Sequence, residues 1–192
     1  MKDRMITIEN ISKQFGKLKA LDNISTSCDK SECIALIGPN GCGKTTLIKS
    51  ILGMVIPDSG SIKFGDTDIA RNWNYREKIG YMPQIGRYPD NMTIGQVLGM
   101  MKDIRNSSDT LDEDLIKAFS IQSLMNKRMG TLSGGTIQKV SAALAFLFNP
   151  SVLILDEPTA GLDPVASELF KEKILAEKDK GKLVLITSHI LS

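Results

Sequence analysis

Gly38-Pro39-Asn40-Gly41-Cys42-Gly43-Lys44-Thr45-Thr46 follows the apolar run Cys33-Ile34-Ala35-Leu36-Ile37 and leads into Leu47-Ile48-Lys49-Ser50-Ile51-Leu52. The order is strand, glycine-rich turn, helix. The spacing matches G-x-x-x-x-G-K-[ST], the phosphate-binding P-loop. Glycines let the backbone curl so that successive N–H groups point inward at an anion, and the helix start adds the positive end of its dipole. Lys44 then reaches the β- and γ-phosphates as a point charge, and the Thr45 hydroxyl can ligate Mg²⁺. The competing reading is a glycine turn with no ligand. The full spacing, with a strand before it and a helix after it, argues against that.

Composition narrows the remaining possibilities. A chain of 192 residues suffices for one domain that buries roughly 70% of its unfolded surface. With 24 basic and 22 acidic residues and a net charge of +2, neither nucleic acid nor an anionic membrane surface is expected as the main partner. No stretch approaches the ~18 apolar residues of a membrane span, and Met1-Lys2-Asp3-Arg4 leads into no signal-peptide core. The three cysteines, Cys28, Cys33 and Cys42, are odd in number and lack C-x-x-C spacing. They suit a reduced, cytosolic setting better than a disulfide frame or a zinc site. The nine methionines are scattered, as core filling requires, rather than grouped as for copper.

Along the chain, Arg4 to Glu9 alternates as a strand. Ile24 to Cys28 and Glu32 to Ile37 flank the polar turn Asp29-Lys30-Ser31, a pattern that predicts a hairpin feeding the P-loop. Pro57-Asp58-Ser59-Gly60 is a turn cluster before a short strand at Ser61 to Phe64, and Ile79 to Met82 is another short strand. From Gln84 to about Leu132 strand signals vanish. Thr93 to Ile104 and Asp112 to Phe119 read as helices, the latter with Leu115, Ile116 and Phe119 at helical spacing. Gly134 to Phe148 predicts a long amphipathic helix with Ile137, Val140, Leu144 and Phe148 on one face. Val152 to Leu155 is a continuous apolar strand, as a covered parallel sheet requires. Pro164 to Lys180 is a second long helix with Asp163 as N-cap and Pro164 at its first position, and Leu183 to Thr187 is the last strand. The fold class is therefore α/β: a core of sheet and flanking helices with a helical lobe inserted into it.

Val152-Leu153-Ile154-Leu155-Asp156-Glu157 is a second nucleotide signal, of Walker B type. An apolar strand delivers Asp156 to its C-terminal end, where ligands sit in open α/β sheets. There it can hold Mg²⁺ through the water shell, while Glu157 can accept a proton from an attacking water. Two solvated carboxylates at a strand end are the bland alternative, which the preceding P-loop makes weak.

Leu132-Ser133-Gly134-Gly135-Thr136 opens the long helix, and Asp156-Glu157-Pro158-Thr159 follows one helix later. This closely resembles the ATP-binding cassette (ABC) ATPases, whose signature is LSGGQ, and the resemblance runs from about Ile6 to the C-terminus. Gln84 in Met82-Pro83-Gln84 is similar to the Q-loop, Ala160-Gly161-Leu162-Asp163 to the D-loop, and His189 in Thr187-Ser188-His189 to the switch histidine. Phe15 occupies the place of the aromatic that stacks on adenine, although a hydrophobic plug at the sheet edge would look the same. Asp163 has its N-cap role in any case.

The resemblance implies a P-loop NTPase of the ABC type, one domain over 1–192, with 1–84 and 133–192 as α/β core and 85–132 as helical subdomain. It implies ATP and Mg²⁺ as cofactors. The P-loop residues Gly38, Asn40, Gly41, Cys42, Gly43, Lys44, Thr45 and Thr46 would hold nucleotide with Phe15. Thr45, Gln84 and Asp156 would serve the metal, and Glu157, His189 and Gln84 the chemistry. Two copies would pack head to tail, so that Ser133 and Gly135 of one reach the γ-phosphate held by the other, with Asp163 at the same junction. Gln84, where core gives way to lobe, would couple nucleotide to lobe position. The implied partners are a second copy and integral membrane permease subunits docking on the lobe, where Met92, Met100 and Met101, with Tyr88 and Pro89 nearby, are candidate exposed contacts, although core packing inside the lobe explains the methionines just as well. The implied location is peripheral, on the cytoplasmic face of the cell membrane.

This sequence departs from the family pattern at Thr136, where glutamine is commonest, and at Cys42, where a serine or alanine is usual. Family cassettes also continue beyond the switch histidine, so the C-terminal end at Ser192 is expected to be truncated, with ATP binding outlasting hydrolysis. A soluble ABC ATPase of DNA repair or translation is the second reading, but the spacing from Lys44 to Ser133 leaves room only for a compact lobe. A regulatory module without turnover is the third, against which Glu157 and His189 stand. Gly80-Tyr81-Met82-Pro83-Gln84, Tyr88-Pro89 and Thr93 resemble single-cassette exporters of the ABC-2 type. Leu132 to Val140 is similar to cassettes linked to copper-site assembly of nitrous-oxide reductase.

Overall fold

The computed structural model describes residues 3–105 and 111–188. Two four-stranded sheets share the work. The first is antiparallel, of order β2-β1-β4-β5, formed by β1 (Arg4–Phe15), β2 (Leu18–Asp29), β4 (Ser59–Phe64) and β5 (Thr67–Asp68). The second is parallel, of order β3-β8-β7-β6, formed by β3 (Cys33–Ile37), β6 (Ile79–Met82), β7 (Val152–Asp156) and β8 (Leu183–Ser188). The helices are α1 (Lys44–Ile51), α2 (Ile94–Arg105), α3 (Asp114–Ala118), α4 (Gly134–Phe146) and α5 (Pro164–Asp179).

β7 is the hub. All five of its residues are buried, and the pleat sends alternate side chains to opposite faces. Val152 and Ile154 join a core with Ile6, Ile8, Ile11, Ile48 and Ile51 beneath the antiparallel sheet and α1. Leu153 and Leu155 join the other, with Phe146, Phe170, Ile94 and Val97. A strand covered on both faces reads as an unbroken apolar run for this reason. The second core runs without a break from the lobe helices α2 and α3 into α4 and α5.

The structure overturns two expectations. Asp29-Lys30-Ser31 does not close a hairpin: β2 pairs with β1, whereas β3 pairs in parallel with β8. The turn passes the chain from one sheet to the other, with Lys30 N–H on Asp3 O and Ser31 N–H on Gly181 O. Second, α4 is not a one-sided amphipathic helix. Val140, Ala142, Ala143, Ala145 and Phe146 are all buried, Ile137 and Leu144 only partly, and Phe148 lies beyond its end, as for a helix covered nearly all round. Of the two readings of the lobe methionines, core packing describes Met92: Met92, Met100, Met101 and Tyr88 are half-buried, and Met92 and Tyr88 pack on the core. Among the described residues of this region, Ile85 and Ile104 are exposed large apolar side chains, and Pro89 is exposed as well. β1 and β2 also extend beyond the expected strands, because register shifts near Asn10 and Asn23, both at φ 51°, interrupt the two-residue alternation.

A buried ion network ties lobe to core. Glu177 on α5 is fully buried and pairs with Lys173 at 3.0 Å, Lys180 at 2.7 Å and Lys182. Lys173 reaches on to Asp112 at 2.6 Å and Asp114 at 2.8 Å. Burial pushes the Glu177 carboxyl up, but hydrogen bonds from Lys180, Lys182 and Lys173 outweigh it and bring it from 4.5 down to about 2. A depressed folded-state value contributes stability above the unfolded value and loses it as pH falls through the folded one. We therefore expect about 3 kcal/mol of stability to disappear between about pH 4.5 and 2. Urea midpoints measured across that interval check this: Glu177→Gln should flatten the slope there while lowering stability at neutral pH, since Lys182, largely buried, loses its carboxylate partner and Lys173 loses one of three.

Candidate functional site

The C-terminal ends of β3 and β7 open onto one cleft of about 200 Å³. It is lined by Asn40, Gly41, Cys42, Gly43, Lys44, Thr45 and Thr46 from the glycine turn, by Gln84 after β6, by Asp156 and Glu157, and by Phe15, Leu18 and Ala20 from the β1–β2 hairpin. Gly43 caps α1 at φ 100°, and a Cβ there would stand 2.3 Å from Ala20 O. Only glycine permits both the left-handed turn and the approach of the hairpin. Lys44 Nζ bonds Gly38 O and, at 3.1 Å, Pro39 O, and it lies 3.8 Å from Cys42 Sγ. The ammonium thus bridges the mouth of its own loop, where an anion would find the backbone N–H groups.

Across the cleft, Asp156 is buried and accepts a hydrogen bond from the Thr187 hydroxyl. Glu157 has φ 50°, left-handed for a non-glycine residue. Its backbone N–H donates to Thr187 Oγ1 at 3.0 Å, and its Oε2 accepts from Gln84 Nε2 at 3.1 Å. The Tyr81 hydroxyl beneath is raised above its ordinary value, first by burial and then by the Asp156 charge. The oxygen donors of Thr45, Gln84 and Asp156 thus border a single space. That set suits a hard ion such as Mg²⁺, which takes one or two protein ligands and the rest from phosphate and water. Among the described residues no group of three or more His, Cys, Asp or Glu could hold a metal unaided.

The other expected site residues lie apart from this cleft. Ser133 is the N-cap of α4, bonding Thr136 N–H at 3.3 Å and the Thr136 hydroxyl at 2.9 Å. A Cβ on Gly135 would stand 2.8 Å from Gly161 O, so signature and D-loop touch within one chain. Asp163 caps α5 through Ala166 N–H at 2.8 Å and pairs with Lys139 of α4 at 2.6 Å. The Lys139 hydrogen bond first, then that from the Ala166 backbone, hold its carboxyl below the ordinary range. Ser133, Gly135 and Asp163 are absent from the lining of the chain's own cleft, and His189 lies outside the described residues. Leu18, Ala20 and Thr187 were not foreseen. A hydroxyl at the end of the apolar run Leu183 to Ile186 was the one available signal for Thr187.

Strand β3, the glycine turn, α1 and the acidic end of β7 together define a P-loop α/β protein. The family described as ABC transporter matches residues 21–160, and the chain belongs to that family. Nod factor export ATP-binding protein I of Burkholderia lata is 33% identical over 194 residues, covering 97% of this chain. The ABC transporter ATP-binding protein YhaQ of Bacillus subtilis is 35% identical over 189 residues, covering 96%. The chain spans 63% of the length of each of these relatives. A solved structure of an ATP binding subunit of an ABC transporter superposes with a TM-score of 0.90 at 30% identity, covering 97% of this chain and 80% of that one. The chain therefore has the ABC ATPase fold. Among the described residues no helix is long and apolar enough to cross a membrane.

Proposed function

We propose that this chain binds and hydrolyses ATP to drive a membrane transporter, with two copies closing head to tail around two nucleotides. The observation that supports this best is the shared cleft: seven consecutive residues of the glycine turn face Gln84, Asp156 and Glu157 across it. Phe15 would stack on the base, and Lys44 with the N–H groups of 40–46 would hold the phosphates. Thr45, Asp156 and Gln84 would hold Mg²⁺, which would offset the negative charge of the phosphates. Glu157, oriented by Gln84, would take a proton from the attacking water, with His189 beside the γ-phosphate.

Ser133 and Gly135 would serve the second copy's nucleotide. Their separation from the cleft of their own chain is what such an arrangement needs. Residues 85–132 would form the lobe on which integral membrane permease subunits dock, placing the protein on the cytoplasmic face of the membrane. The exporter named among the relatives supports an ABC-2-type exporter as the finer reading. A membrane pull-down with Glu157→Gln protein and ATP tests the assignment. Retention of an integral membrane protein is expected; nucleic acid or ribosomes in its place would refute it.

A further inference from the structure

Thr187 stands opposite Asp156 in the parallel register of β7 and β8 and is completely buried. Its hydroxyl is shared between two consecutive residues of the neighbouring strand end. It donates to Asp156 Oδ1 and accepts the Glu157 N–H at 3.0 Å. A hydroxyl has one proton and two lone pairs. With the proton given to a carboxylate, the lone pairs remain for the N–H, so the polarity of the pair of bonds is consistent.

Each bond does something an apolar residue could not. The first fixes the orientation of the Asp156 carboxylate by holding its Oδ1. The second holds Glu157 at φ 50°, a conformation that a non-glycine residue keeps only when its surroundings impose it. That backbone direction carries the carboxylate to Gln84 at 3.1 Å. Valine would fill the same space, and β-branched residues suit a buried strand. Packing alone therefore does not call for an oxygen here.

We propose that Thr187 is a positioning residue for ATP hydrolysis: its hydroxyl fixes the Asp156 carboxylate and the Glu157 backbone as one unit. This rests on the ATPase reading above. Removing an outer partner of a metal-holding carboxylate costs about 10–100-fold in metal affinity or activity. In the intact protein, Thr187→Val is expected to lower kcat by that factor and to reduce the gain in ATP affinity that Mg²⁺ brings. ATP affinity in EDTA should stay within about twofold, because the glycine turn is untouched. Thr187→Ser keeps the hydroxyl and should restore both readouts to within about threefold. If Thr187→Val folds poorly, Thr187→Ser against Thr187→Ala makes the same comparison without added bulk.

A Val variant with wild-type kcat and Mg²⁺ dependence, or a Ser variant as impaired as the Val or Ala one, overturns the proposal while the ATPase reading stands. Wild-type protein that neither binds nor hydrolyses Mg·ATP overturns that reading, and this inference with it.

Discussion

Glu157→Gln is expected to reduce ATP turnover about 10²–10⁴-fold, the span associated with losing a positioned general base, while ATP stays bound. The substitution is nearly isosteric. Gln84 Nε2 keeps an oxygen to donate to, and the left-handed backbone is held through the Glu157 N–H and Thr187, which the side-chain change does not touch. What disappears is a carboxylate able to accept a proton from water. Phosphate release gives the rate, and the thermal shift with ATP gives occupancy. Because a ligand that binds only the folded state stabilises it by mass action, the variant should show at least the wild-type shift. Turnover within about threefold of wild type would assign the proton transfer to another group.

Lys44→Ala attacks the other wall and should harm binding and turnover together. Hydrogen bonds to charged groups contribute about 1.5–3 kcal/mol, so ATP affinity should fall roughly 10- to 100-fold. Turnover at saturation should fall by a further ~10²–10³, as when one preorganised donor to developing charge is removed. The melting temperature without nucleotide should hardly change, since Lys44 is the first residue of α1 and alanine is a good helix former. Lys44→Arg is not expected to rescue. The ammonium bonds Gly38 O and Pro39 O inside a tight turn, and a planar guanidinium fork does not fit where a compact point charge does. Full affinity in Lys44→Ala would mean that the backbone N–H groups alone hold the anion.

Much of this was legible because its chemistry is local. The glycine turn, the helix start at Ser133 to Thr136, the N-cap Asp163, the proline start of α5 and the apolar run of β7 are written within a few residues each, and the structure places all of them where local rules put them. The α/β class followed from these. The hairpin expected between β2 and β3 failed because the partner of β3 is β8, far along the chain, and no local pattern carries a parallel pairing. Asn10 and Asn23 hid the full length of β1 and β2 by breaking the alternation. Glu177 reads as one more solvated helix charge until three lysines converge on it. Thr187 reads as a strand end until β7 is laid beside it. In the site itself, residue types and spacing named the glycine turn, Asp156 and Glu157, and the family resemblance added Phe15 and Gln84. The cleft's apolar wall at Leu18 and Ala20 depends on where the hairpin folds over Gly43.

The contact between Gly135 and Gly161, with Lys139 on Asp163, makes signature tip and D-loop one surface, away from the cleft that its own glycine turn builds. In the proposed dimer this surface completes a second copy's site. Sedimentation velocity of the intact Glu157→Gln protein, with and without Mg·ATP, tests it most directly. A single-copy species is expected without nucleotide and a species of twice that mass with it, reverting when Ser133 is replaced by a bulky side chain. A particle that stays single with ATP shown to be bound would contradict it.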